Sequence, residues 1–429
     1  MRFVLPFTGS RGDIQPGVAL TLELSARGHE VVFGAPPNLV SWVTAATSFA
    51  HGVAVVPFGP DTKELLESEL VRTDIKSRNP RRRFAALAEL ANYGWDGMTS
   101  SLSEMAVGAD AALTGTLGQE MTFNIAEAHN IPFLALHYCP VRTNGSMSVV
   151  PGRALPPAVN RATWRLLESI RWRSMRAREN TQRVDLGLAE ARTPLSARIA
   201  QYGGIEIQAY DGALFPGLEA EWGPNRPFVG FLELPSPTPT FGEDVSPGSP
   251  LRDWIEDGKR PVYFGFGSMP VRDPAQLLRT ITAACEAGGH RALVSSGWSA
   301  IDRRVEPGSV VATVGAVDHA VTFPLCAAAV HHGGAGTTAA SVRAGLPTMV
   351  CWFSADQPFW GAALERTGAG TAMRFSRLDT RSLIEGIDTL LAPATATDAR
   401  ALGRSMTPPA AAVSAAADLA ERAVTRSGG

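Results

Sequence analysis

An α/β protein with two parallel-sheet halves is what this sequence predicts, and three observations carry the prediction. Short apolar runs alternate with amphipathic ones along nearly the whole 429-residue chain, the pattern of parallel strands joined by crossover helices. That length exceeds the roughly 250–300 residues one hydrophobic core serves. A stretch rich in Pro, Ser and Gly at residues 231–250, FLELPSPTPTFGEDVSPGSP, breaks the alternation and reads as a linker. The division that follows is a first domain over 1–230, the linker, a second domain over 251–405, and a helical tail over 406–429 that would pack back on the first domain.

In the first domain RFVLPF (2–7) is a strand, residues 15–27 a helix stopped by Gly28, and EVVFGA (30–35) the next strand. AVVPF (54–58), ADAALTG (109–115) and IPFLALHY (131–138) follow as strands, with helical segments at 82–105 and 120–129. In the second domain PVYFGFGS (261–268), RALVSS (291–296), CAAAVHH (326–332) and PTMVCW (347–352) are strands, with a helix over 275–287. The alanine-rich end, 398–426, is helical in propensity and interrupted at Pro408 and Pro409. Ligands of open α/β sheets bind beyond the carboxyl ends of the strands, so the site is expected in the cleft between the domains.

A net charge of −2, with 45% apolar and 19% charged residues, gives no basic surface for nucleic acid. Cys139, Cys285, Cys326 and Cys351 stand apart from one another and from any metal-ligand spacing, so neither a zinc site nor a disulfide framework is expected, and a reducing cytoplasm fits. The N-terminus meets glycines and charges too early for a signal peptide. No apolar run reaches the roughly 20 residues of a membrane span.

The stretch HHGGAGTT, residues 331–338, turns from a strand into a helix through glycines. Glycines there let backbone N–H groups approach a ligand, and a helix amino end favours an anion such as phosphate. Tight strand–helix packing is the plainer reading of the same residues. His331 and His332 point to opposite faces of the strand, so His331 is expected to pack while His332 faces the ligand.

HHGGAGTTAASVRAGLPTMVCWFSADQPFWG (331–361), with FTGSRGDIQPGVAL (7–20) and FGFGSM (264–269), resembles the inverting nucleotide-sugar glycosyltransferases of the GT-B fold. The branch is that of sterol glucosyltransferases and of enzymes that glycosylate bacterial glycopeptides and glycopeptidolipids. The resemblance implies two Rossmann-like domains facing across a cleft. It implies that His332 and the backbone at Gly334, Gly336 and Thr337 hold the donor diphosphate, and that Asp356 and Gln357 bind hydroxyls of the donor sugar. Ser268 would lie against the phosphates, Trp298 against the base, and Val317 at the base edge, with Ser10, Arg11 and Gly12 near the diphosphate and Asp13 as catalytic base. Ala340 stands where many plant relatives carry a ribose-binding glutamate, which leaves the donor open between uridine and thymidine diphosphate sugars.

Displacing a nucleoside diphosphate needs charge stabilisation from a metal or from fixed donors. The sequence has no DxD run, so no metal and no permanently bound cofactor are expected, the nucleotide sugar being a co-substrate. The acceptor must lose a proton as it attacks, which a carboxylate can accept. Asp13 competes here with a helix-capping role. Tyr93, Trp95, His137 and Asn144 are candidates for a hydrophobic acceptor site, with ordinary packing as the alternative. Residues 153–183 hold Arg161, Arg165, Arg171, Arg173, Arg176 and Arg178 against Glu168 and Glu179. They read either as a solvated helix face or as peripheral contact with an anionic membrane. A sugar-nucleotide epimerase, which would need no acceptor, and a non-catalytic auxiliary nucleotide-binding protein are the alternatives to a hexosyltransferase acting on a sterol, glycolipid or natural product.

Overall fold

Six strands of the first half pair in parallel: β1 Arg2–Pro6, β2 Glu30–Ala35, β3 Val53–Pro57, β4 Ala111–Thr114, β5 Phe133–His137 and β6 Ile205–Gln208, in the order β3-β2-β1-β4-β5-β6. Six more form a second parallel sheet: β7 Val262–Gly265, β8 Ala292–Ser295, β9 Val311–Val314, β10 Ala328–His331, β11 Thr348–Trp352 and β12 Gly370–Arg374, in the order β12-β11-β10-β7-β8-β9. Counted from its own first strand, each sheet has the same topology, the doubly wound dinucleotide-binding order. This computed structural model describes residues 1–429 apart from 71–72, 74–78, 80–81, 83–84, 87–88, 91, 151–152, 154, 236–242, 268, 270, 272, 298–301 and 428–429.

The central strands are continuous apolar runs because both their faces are covered by helices. Phe3, Val4, Leu5, Leu134, Phe264 and Val330 are all fully buried. The strands β6, β9 and β12, absent from the sequence expectation, each lie at a sheet edge. IEIQ and GTAMR have polar residues among their apolar ones, whereas those of β1 and β5, Arg2 and His137, stand at a strand end, so the apolar signal of β6 and β12 is weak even though their pairing is regular.

Helix Arg11–Ala26 starts four residues earlier than expected, because Ser10 is its cap and Asp13 completes a capping box. Pro16 lies inside it and Gly17 packs against the Phe7 ring, where a Cβ would come within 2.6 Å. At the other end of the chain the tail splits at the prolines into helices Pro393–Ser405 and Pro409–Ser427. Ala412, Ala416, Ala417 and Ala420 of the last helix belong to the core of the first sheet with Val18 and Leu24. Small side chains let the two helices approach closely, and Arg27 fixes the register by bonding Asp418 at 2.7 Å and Glu421 at 2.9 Å.

The segment expected as an extended linker begins buried, with Leu232 in the core of the first sheet and Phe231 in a cluster to which both halves contribute. A shared apolar cluster joins the halves there: Trp360 packs against Tyr210, Phe215 and Phe231 with ring centroids 5.2–6.0 Å apart. Glu233 pairs with Arg343 at 2.8 Å, and Asp211 accepts from the Thr407 amide at 2.7 Å. All four cysteines are free and buried. Among the described residues no helix is long and apolar enough to cross a membrane.

Candidate active site

Strand order reverses between β1 and β4 in the first sheet and between β7 and β10 in the second. A crevice opens at such a point because the loops leaving adjacent strands turn to opposite sides. The loops that leave β1, β7 and β10 carry GSRGD, FGS and HGGAGTT, so topology brings the separated motifs to the two walls of one cleft.

On the first wall Asp13 Oδ2 accepts from the Ser10 amide at 2.6 Å and from the Ser10 hydroxyl at 2.7 Å. Tyr138, directly after β5, gives its carboxylate a further side-chain hydrogen bond. The same hydroxyl accepts from the Thr116 amide at 3.3 Å. Gly9 is in the left-handed region at φ 111°, and a Cβ there would collide with the Asp13 carboxylate at 2.6 Å. Burial raises the Asp13 proton affinity above that of an ordinary aspartate, and the bonds from Ser10 and Tyr138 oppose it. One carboxylate thus combines the capping geometry with a raised proton affinity: the Ser10 bonds fix its orientation while burial makes it a stronger base. Arg11 is exposed, lies 4.7 Å from the Trp42 ring centroid, and feels the charge of Asp318 on the opposite wall. Gly12 beside it is open to solvent.

On the second wall helix Ala335–Arg343 begins at Gly334 with no side-chain cap. Its first intrahelical bond runs from the Thr338 amide to Gly334 at 2.9 Å, and among the described residues the amides of Ala335, Gly336 and Thr337 have no hydrogen-bond partner. Uncapped donors and the helix dipole together make a place for an anion. His331 is fully buried, as expected of a packing residue: its Nδ1 accepts from the Gly333 amide at 3.0 Å and its Nε2 lies 3.4 Å from the Ser341 hydroxyl. It thus holds the turn that Gly333, at φ 87°, makes possible. His332 lies between the loop that leaves β7 and the start of the following helix. Among the described residues its Nδ1 is buried without a well-formed hydrogen bond, and burial, only partly opposed by the Gly265 backbone, holds the imidazole down to about 4. A side chain at Gly267 or Gly334 would strike its ring, at 2.9 and 2.6 Å.

Asp356 accepts from the Trp360 indole at 2.7 Å, and its carboxyl is raised to about 6 by burial and by the charge of Asp13 across the cleft. Gln357 is used internally. Its carbonyl accepts from the Phe353 amide at 2.7 Å and the Ser354 amide at 3.2 Å, and its amide reaches the Met269 sulfur at 3.4 Å. The residue before them, Ala355, is held at φ 58°. Val317 is half-buried against the β8–β9 core, next to Asp318, which caps a short helix at His319. Ser268 and Trp298 lie outside the described residues.

The acceptor-side expectations divide. Tyr93 is exposed, but Trp95 packs with Phe58 and Met98 in the core. His137 is fully buried beside Glu206 at 3.9 Å and Gln208 at 3.3 Å, and burial and the Arg142 charge push it down to about 3. The Asn144 side chain spans the Arg142 carbonyl and the Met147 amide. Trp95, His137 and Asn144 are therefore corrected to packing residues: Trp95 at a helix start and His137 at the end of β5 are taken into the buried interior, and Asn144 satisfies the backbone of its own loop. Tyr138 and Trp360, which orient the two cleft carboxylates, went unnoticed in the sequence. Tyr138 has the signal of a polar residue at a strand's carboxyl end, and Trp360 lies four residues after Asp356 on one helix face.

Two parallel-sheet halves with a carboxylate on one wall and an uncapped helix on the other match a known architecture. Residues 3–146 match the glycosyltransferase family 28 N-terminal domain, and residues 301–421 the erythromycin biosynthesis protein CIII-like C-terminal domain. The chain is 43% identical to an uncharacterized glycosyltransferase of Mycobacterium tuberculosis, over 99% of this chain and all of that protein. It is 28% identical to a sterol 3-beta-glucosyltransferase of Arabidopsis thaliana, over 95% of this chain and 63% of that one. Among solved structures, the glycosyltransferase of kitacinnamycin superposes with a TM-score of 0.69 at 18% identity over 99% of both chains. The SsfS6 glycosyltransferase of Streptomyces sp. SF2575, complexed with thymidine diphosphate, gives 0.63 at 19% identity over 97% of this chain and 99% of that one. The chain belongs to the glycosyltransferase family that joins these two domains in a GT-B fold.

Proposed function

We propose that the protein is an inverting, metal-independent hexosyltransferase that moves a hexose or deoxyhexose from a uridine or thymidine diphosphate sugar to a hydroxyl of a hydrophobic acceptor. The observation that carries this is the pairing across one cleft of a buried, bond-oriented Asp13 carboxylate with the uncapped amides of helix Ala335–Arg343. The thymidine diphosphate bound by the SsfS6 glycosyltransferase is consistent with such a donor.

In the reaction the acceptor oxygen attacks the anomeric carbon as the bond from that carbon to the diphosphate oxygen breaks. The hydroxyl proton passes to the Asp13 carboxylate, and the electron pair leaves on the diphosphate. One displacement inverts the anomeric centre. The Gly336 and Thr337 amides, the helix dipole, His332 and Arg11 take up the developing negative charge, the role a metal plays elsewhere. Asp356 binds a sugar hydroxyl and is held for it by Trp360. Gln357 shapes the same turn from within and offers the sugar at most its amide. Attack opposite the leaving group requires the acceptor on the first-domain wall, so both halves are needed.

Purified protein incubated with uridine and thymidine diphosphate sugars and a panel of sterol, lipid and aglycone acceptors, read by mass shift, tests this. One acceptor should gain a hexose with inverted linkage, with turnover unaffected by chelator. Altered sugar nucleotide formed from donor alone, or turnover lost on chelation and restored by magnesium, overturns it.

A further inference from the structure

The helix Pro157–Asp185 is the longest among the described residues, and it has two apolar faces where one would suffice. At 3.6 residues per turn, Trp164, Met175 and Gln182 share one face, and all three are buried. That face is anchored firmly: the Trp164 indole donates to the Met147 carbonyl at 2.9 Å and lies 5.7 Å from the Phe359 ring of the second domain. The opposite face carries Val159, Ala162, Leu166, Ile170, Arg173 and Ala177, spaced by three, four and seven residues, and every one is exposed. Leu167 borders it, also exposed, and Leu166 is 57% accessible.

Charge on this surface is unbalanced. Arg161, Arg171, Arg178 and Arg183 are each paired, with Glu221, Glu120, Asp96 and Glu127. Arg165, Arg173 and Arg176, which flank or join the exposed stripe, have no ion pair among the described residues, and Arg176 lies 5.4 Å over the Trp172 ring centroid. Of the acids on the helix, Glu179 is buried against Arg198, Asp185 ends the last turn, and only half-buried Glu168 lies in the stretch that carries the stripe. A row of aliphatic side chains spanning about 17 Å from Val159 to Ile170, edged by guanidinium groups without an ion pair among the described residues, is complementary to a bilayer interface: apolar carbon enters the acyl boundary while arginines meet anionic headgroups.

We propose that this solvent face of helix Pro157–Asp185 docks the protein on an anionic lipid bilayer. The buried face of the same helix touches Phe359, three residues from Asp356 of the cleft. Docking therefore brings the cleft beside the membrane, and, resting on the function proposed above, makes a membrane-held lipid the acceptor class.

Co-sedimentation of the full chain with phosphatidylcholine vesicles, with and without phosphatidylglycerol, tests the docking without donor or turnover. Binding is expected to the anionic vesicles, weakened by salt. Replacing Arg165, Arg173 and Arg176 by Gln should weaken it roughly 100-fold, and Leu166→Ser with Ile170→Ser should weaken it further. Circular dichroism melting keeps these exposed substitutions distinguishable from unfolding. Equal binding by the substituted chains, equal binding to neutral vesicles, or no vesicle binding overturns the proposal. So does a concentration-dependent dimer that is lost with Leu166→Ser, which would give the face to a second copy. Transfer to a water-soluble acceptor should be unchanged in all variants. Absence of transfer by the unaltered protein to every member of the sterol, lipid and aglycone panel would refute the transfer function while vesicle binding is judged separately.

Discussion

Replacing Asp13 by asparagine separates its two roles. Both bonds from Ser10 reach one oxygen, Oδ2, from the amide at 2.6 Å and the hydroxyl at 2.7 Å. An asparagine oxygen in that position accepts both, and its amino group meets the Tyr138 hydroxyl, which can accept in turn. The cap, which contributes about 1 kcal/mol, is thus retained, and a desolvated charge is removed, so the melting temperature should hold or rise. What asparagine cannot do is take a proton. General-base catalysis contributes roughly 10²–10⁴-fold, so kcat/KM should fall by about 3–5 kcal/mol of transition-state free energy, with nucleotide diphosphate affinity little changed. Initial-rate kinetics, thermal melting and calorimetric titration with the diphosphate read the three quantities. Turnover within a few-fold of the unaltered protein would remove Asp13 from proton transfer and leave it as a cap alone.

Four further outcomes follow from the same geometry. Asp356 has a folded-state carboxyl raised to about 6 against 3.8 ordinarily, so the native state binds more protons in that window and stability falls as pH rises through it. Asp356→Asn, which keeps an acceptor for Trp360, should be about 2–3 kcal/mol more stable than the unaltered protein at pH 7.5, with the gap closing towards pH 4 in denaturant titrations. Tyr138→Phe removes a donor to the Asp13 carboxylate and should move the acid limb of the kcat/KM profile to higher pH, which a purely structural defect would not do. A diphosphate beside His332, whose imidazole burial holds down to about 4, should draw a proton onto it. Uridine or thymidine diphosphate then binds more tightly from pH 8 to pH 6, while His332→Gln binds roughly 10–100-fold more weakly with that dependence reduced. Ala416→Leu, at a fully buried contact with the first domain, should cost about 1–3 kcal/mol in denaturant unfolding.

Strands such as β1, β5 and β10 were legible because they are buried on both faces, which forces a continuous apolar run. The edge strands β6 and β12 were not, since IEIQ and GTAMR satisfy half their surroundings with polar side chains. At the site, the glycine-bearing turns and their order along the chain were readable because close backbone approach admits few other residues. The acceptor-side expectations were not: Trp95, His137 and Asn144 are the residue types of a binding loop, and burial gave them to packing.

By itself the sequence determined the alternation that makes two parallel sheets and the identity of the groups that end their strands, because both depend on local spacing and residue chemistry. Only the tertiary structure decided that Asp13 and Asp356, 343 positions apart in the chain, share one cleft, that Tyr138 and Trp360 aim them, and that one face of helix Pro157–Asp185 stays uncovered. Those facts depend on which surfaces the folded chain takes out of water, and desolvation belongs to the whole packing arrangement rather than to any single stretch of residues.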